Sequence, residues 1–151
     1  MKYVIFSIIS IIGIIINLFI INDRYLFLTP FFALAPKLYK IVSSIVYLFV
    51  FAAIFIIFFK DKTYTYYLNA KLKIIVLINF FLYTLYNLFS FIIISPFLTF
   101  SIKTFQFVAA LYLNEEVAKK NKVSVNLLTF YILWTFYLTL ISISIFFINN
   151  S

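Results

Sequence analysis

Five long apolar runs occupy nearly the whole chain, and the charged residues collect in the gaps between them. The first run, Tyr3 to Ile21, is interrupted only by Ser7, Ser10, Gly13 and Asn17. As a helix it would reach about 28 Å, close to the hydrocarbon thickness of a bilayer. A run of that length and polarity has few soluble solutions, because its backbone is satisfied in lipid only when every N–H and C=O bonds within the segment. The expected fold is therefore an all-α integral membrane protein, a five-helix transmembrane bundle. Composition agrees: 66% of residues are hydrophobic and 11% charged, with a mean hydropathy of +1.17. Soluble domains carry roughly 25% charged residues.

The spans are expected at about 3–21, 41–59, 74–94, 97–113 and 127–148, and residues 1–151 form a single domain with short loops. A signal peptide competes for the first run because Lys2 precedes it. The run exceeds a usual h-region, however, and Asn22-Asp23-Arg24 follows where small residues are needed for cleavage. The third and fourth spans share one apolar block, Ile74 to Leu113, which as one helix would be about 60 Å long, twice the bilayer core. Ser95-Pro96 near its middle marks the hairpin, since a residue before proline avoids the α region.

Lysine and arginine placement predicts orientation. Lys2, Lys60, Lys62, Lys71, Lys73, Lys119, Lys120 and Lys122 fall on the N-terminal side of this layout, against Arg24, Lys37 and Lys40 on the other. The positive-inside tendency puts the N-terminus in the cytoplasm and the C-terminus outside, with a bacterial cytoplasmic membrane the expected location. The net charge of +8 reads as this topology signal, and no nucleic-acid partner is expected.

Polar residues at membrane depth need partners, so their faces carry information. The third span places Asn79, Tyr83, Tyr86 and Asn87 on one helical face, and the fourth repeats the pattern with Thr99, Lys103, Gln106 and Ala110. The first does so more weakly through Ser7, Ser10, Gly13 and Asn17. Two readings stand: interhelical glue, or the wall of a shared cavity, the latter favoured for the third span by its large tyrosines. Lys103, the only charge well inside a span, is a functional candidate by default. It lies about 10 Å from the Pro96 turn and is expected to snorkel to the headgroups. Glu115 and Glu116 adjoin Lys119, Lys120 and Lys122 and are expected to form a solvated charge cluster. The segment Asn22 to Lys40, with Pro30, Pro36 and several aromatics, reads as an interfacial loop or a lid.

The chain has no Cys and no His, hence no thiol chemistry and none of the usual zinc, copper or haem ligands. It shows no nucleophile paired with a base, no carboxylate dyad at depth and no Gly-rich phosphate loop, so no enzymatic activity is expected. Five spans also give no even inverted repeat of the transporter kind.

The order of features resembles the TspO/MBR family of tryptophan-rich sensory and translocator proteins. Tyr25, Pro30, Tyr39, Val42, Ile45 and Tyr47 fall at matching places in the family's first loop and second helix. Ile78-Asn79-Phe80 resembles its Leu-Asn-Phe element, and Leu127 to Trp134 resembles Leu-Leu-x-Pro-Tyr-Leu-Leu-Trp. The chain departs from the pattern at Leu34-Ala35, Lys37, Ser43, Leu82, Phe130 and Ile141-Ser142, and keeps one tryptophan. The resemblance implies a receptor or carrier with a cavity between helices, covered by the first loop, for a hydrophobic ligand of the porphyrin, haem or sterol class. It implies pocket residues Tyr25, Tyr47, Asn79, Trp134 and Leu138, to which the third-span stripe adds Tyr83. It also implies a homodimer, and no cofactor beyond such a porphyrin or haem-type ligand. The alternative is a small structural or accessory subunit that packs against a partner through its polar helix faces.

Overall fold

A computed structural model of the chain describes residues 8, 11–13, 15–16, 19–20, 30, 33–60, 66–119 and 122–150. Four long helices account for most of them: α1 (Pro36–Lys60), α2 (Tyr66–Phe91), α3 (Pro96–Ala118) and α4 (Lys122–Asn150). These are the second to fifth expected spans. Each is long and apolar enough to cross a membrane. The described residues of the first run are helical as well, and no strand occurs among the described residues.

Every one of the four helices begins earlier or ends later than the apolar run that announced it. α1 starts at Pro36 rather than 41, a position proline favours because its missing N–H has no partner in a first turn anyway. Pro36 to Lys40 thus belong to the helix and not to the loop, and Tyr39 N already donates to Ala35 O at 2.9 Å. α2 starts at Tyr66 rather than 74, α3 continues through Asn114-Glu115-Glu116 to Ala118, and α4 begins at Lys122 rather than 127. Hydropathy marks where the hydrocarbon is. The backbone ladder runs on past the apolar run, where good helix formers such as Lys, Glu, Leu and Ala sustain it.

The hairpin falls at Ser95-Pro96. Ser95, extended at φ −114° and ψ 102°, caps α3 by accepting from Leu98 N through its Oγ at 3.4 Å, and Pro96 opens the helix. At the other side of the turn Ile92 N and Ile93 N both donate to Leu88 O, and Ser95 N donates to Phe89 O, each at 3.0 Å. Ile94 lies between them at φ 56°, in the left-handed region that a β-branched side chain strongly disfavours.

α2 packs on α3, α3 on α4 and α4 on α1. The ring closes between α1 and α2, where the Tyr47 and Tyr83 rings stack with centroids 4.0 Å apart. Val50, Ala53, Ile57, Leu72, Val76, Leu113, Leu128 and Ile145 fill the interior. Ser124 Oγ ties the start of α4 to α1 by donating to Ala53 O at 2.9 Å. The outward faces are equally apolar: Leu48, Phe81, Phe105, Leu133 and Phe147 are all more than half exposed. Large hydrophobics on the outside of every helix, with polar groups turned inward, suit a bundle whose solvent is lipid.

Candidate functional site

The polar faces of the third and fourth spans, now α2 and α3, converge in the centre. Asn79, Tyr83, Tyr86 and Asn87 of α2 are buried, as are Thr99, Lys103, Gln106 and Ala110 of α3. A run of hydrogen bonds joins all four helices. Lys103 Nζ donates to Gln106 Oε1 at 2.7 Å, and Gln106 Nε2 donates to Tyr47 Oη at 2.7 Å and Tyr131 Oη at 3.2 Å. Tyr131 Oη donates to Asn79 Oδ1 at 2.7 Å, and Asn79 Nδ2 donates to Ile75 O at 2.9 Å and Ala109 O at 3.3 Å. A second tie, Tyr39 Oη to Asn87 Oδ1 at 2.7 Å, links α1 to α2 nearer the hairpin. Because the side chains of Gln106, Tyr131 and Asn79 each bond to a neighbouring helix, the network fixes rotation and register at once.

Lys103 does not snorkel. Its side chain is fully enclosed, with the ammonium 4.1 Å from the centroid of the Tyr86 ring. The face that carries it also carries Thr99, Gln106 and Ala110 and is turned into the bundle, which leaves no path along its own helix to the headgroups. Gln106 and the Tyr86 ring supply what the interface would have supplied. Glu116 likewise departs from the solvated cluster expected of it. It is 6% exposed and accepts from Lys119 Nζ at 2.9 Å and from Lys71 Nζ at 3.3 Å, which clamps α2 to the end of α3. The Glu116 carboxylate beside it holds the Lys119 ammonium above the usual lysine range. Glu115 stays more exposed, 4.0 Å from Lys119.

Between α1 and α4, on the other side of the bundle from the α2–α3 hairpin contacts, lies a shallow cleft of about 400 Å³ that is open to the outside of the bundle. Val42, Ile45, Val46 and Phe49 form one wall, and Phe130, Leu133, Trp134 and Tyr137 the other. Aromatic rings dominate it: Phe49 meets Phe130 at 5.2 Å, and Trp134 is stacked between Tyr39 at 5.8 Å and Tyr137 at 5.5 Å. The Trp134 indole N–H is buried and has no hydrogen-bond acceptor among the described residues. Ala33 and Leu34, at the end of the first loop, pack against the core.

The six residues expected at a ligand site therefore part company. Tyr47, Asn79 and Tyr83 are brought together, but in the central network, where their polar and aromatic groups engage one another. Trp134 lines the cleft. Leu138 is buried one turn further along α4, and Tyr25 lies outside the described residues. Tyr131 and Gln106 link the network and Phe49 and Phe130 shape the cleft, and none of the four is among the residues expected at the site. The spacing Leu128, Tyr131, Thr135, Leu138, Ser142 along α4 is an inward helical stripe that could have pointed to Tyr131. Among the described residues no three of His, Cys, Asp or Glu come together to hold a metal ion. Compared with known proteins, the sequence matches no protein-family model and no curated protein.

Proposed function

We propose that the chain is a non-catalytic membrane receptor or carrier that holds a flat aromatic or lipid-like ligand, of the porphyrin, haem or sterol class, in the cleft between α1 and α4. One observation carries this reading: the cleft is walled almost entirely by apolar and aromatic side chains, the ring of Trp134 among them. Ligand sites combine an apolar, concave lining of roughly 300–1,000 Å³ with a few polar groups that fix orientation. A flat apolar ligand would cover the rings of Phe49, Phe130 and Trp134. The resemblance to the TspO/MBR family supports the same ligand class and the participation of Trp134. In this reading the first apolar run is a fifth span and the segment around Tyr25 covers the cleft.

Titration of purified protein in nanodiscs with protoporphyrin, haem and a sterol, read by Trp134 fluorescence, tests the proposal. Saturable quenching by one class, abolished when Ile45→Phe narrows the cleft, is the expected result. A linear response to all three, with Trp134 quenched freely by bilayer-embedded quenchers, would sink it and favour an accessory subunit instead. Such a subunit would have to meet its partner through the apolar outer faces, because the polar faces of α2 and α3 are turned inward.

The chain contains no cysteine, so single cysteines at Lys2 and Ser151 report sidedness directly. An odd number of spans places them on opposite sides, with Lys2 protected from an external membrane-impermeant reagent and Ser151 labelled.

A further inference from the structure

We propose that the occupant of the α1/α4 cleft is a neutral fused-ring lipid of the sterol class, which enters sideways from the bilayer, and that the cleft does not take tetrapyrroles. This deepens the receptor reading above and rests on it. The cleft opens to the outside of the bundle, and its rim residues Ile45, Phe130 and Leu133 are exposed on the surface that meets lipid. A ligand dissolved in the hydrocarbon reaches such a cleft without crossing water. None of the described residues that line it is charged. The polar handles of its aromatic rings are both withdrawn: the Trp134 indole N–H is buried, and the Tyr137 hydroxyl meets the Leu34 backbone.

Residues three and four apart share a helical face, so the stripe of Val42, Ile45 and Phe49 continues toward the start of α1 through Leu38, with Lys37 and Lys40 on other faces. The carboxylates of a porphyrin or haem would therefore find no counter-charge among the described residues, and an unpaired charge in an apolar site is strongly disfavoured. Haem would also lack its usual axial ligands, because the chain has no His and no Cys and its one Met is Met1. Depth favours a sterol. From Val42 to Phe49 the wall is about 10 Å long, and it begins about 3 Å below Lys40 and about 8 Å below Lys37 along α1. With those lysines at the headgroups, the cleft lies in the adjacent half of the hydrocarbon, where a sterol keeps its ring body while its single hydroxyl stays in the headgroup layer. A rigid ring body also loses less freedom on binding than a flexible acyl chain, and it can lie flat on Phe49, Phe130 and Trp134.

The full chain in phosphatidylcholine vesicles containing dehydroergosterol gives the test, because that sterol accepts tryptophan emission and Trp134 is the chain's only tryptophan. Energy transfer should saturate as the sterol mole fraction rises and fall when cholesterol replaces the fluorescent sterol. In Ile45→Phe, whose exposed position tolerates the larger side chain, only the linear rise of random lipid contact should remain. In sterol-free vesicles, protoporphyrin and haem should quench Trp134 without saturation. Saturable quenching by either, relieved by Ile45→Phe, would overturn the proposal and leave the receptor reading standing. Saturable sterol transfer that persists in Ile45→Phe would put the sterol elsewhere and overturn it too. A linear response to the sterol and to both tetrapyrroles would remove the proposal together with the receptor reading.

Discussion

Gln106 is the hub of the central network, and its replacement by leucine gives the most exacting check on the account above. Gln106→Leu keeps the volume close and deletes three hydrogen bonds at once: two donated to the hydroxyls of Tyr47 and Tyr131, and one accepted from Lys103. Interhelical hydrogen bonds between neutral groups in membrane bundles average about 0.6 kcal/mol, so the two tyrosine contacts account for about 1.2 kcal/mol. The bond from the ammonium is charge-assisted and enclosed, and its loss costs about 2 kcal/mol. The expected destabilisation is thus about 3 kcal/mol. Lys103→Met should be close to neutral, since a well-packed apolar residue of similar volume avoids the desolvation cost of the buried charge. In the Lys103→Met background, Gln106→Leu should then cost only the tyrosine share, a coupling of about 2 kcal/mol. Reversible unfolding in mixed micelles of increasing SDS fraction, followed by Trp134 fluorescence, measures the two single variants and the double. A cost for Gln106→Leu below about 0.5 kcal/mol, or additivity of the pair within about 0.3–0.5 kcal/mol, would refute the network as drawn.

Ile94→Gly should stabilise the protein by up to about 1 kcal/mol in the same assay, because glycine relieves the positive φ at the hairpin while giving back part of the gain as chain entropy. Ser95→Ala at the neighbouring cap should cost about 1 kcal/mol, an ordinary N-cap loss. Ser124→Ala should cost about 0.5–1 kcal/mol by removing the bond to Ala53 O, and hydrogen exchange should rise at the start of α4 before it rises elsewhere. Glu116→Gln should cost less than about 1 kcal/mol, since both lysine partners are largely solvated, and the cost should shrink in about 0.5 M salt.

What the sequence by itself determined follows from local chemistry. Runs of about twenty apolar residues specify helices wherever water is absent, so the second to fifth spans could be placed from hydropathy alone, and Ser95-Pro96 marked the hairpin because proline restricts the residue before it. Spacing along single helices showed which residues share a face, and the inward faces of α2 and α3 are the stripes of Asn79, Tyr83, Tyr86, Asn87 and of Thr99, Lys103, Gln106. What spacing along one helix lacks is the identity of the facing helix. Only the tertiary structure decided that Gln106 meets Tyr47 and Tyr131, 59 and 25 residues away in sequence, and that Tyr39 meets Asn87. It also decided the fate of Lys103. Depth alone argued for snorkelling, whereas the rotation of α3 closes that route and gives the ammonium Gln106 and the Tyr86 ring. The α1/α4 cleft is the clearest case, for Val42, Ile45 and Phe49 look on their own helix like any lipid-facing residues. They become a wall only because α4 sets Phe130 and Trp134 opposite them, and that pairing is fixed by long-range packing that no local pattern encodes.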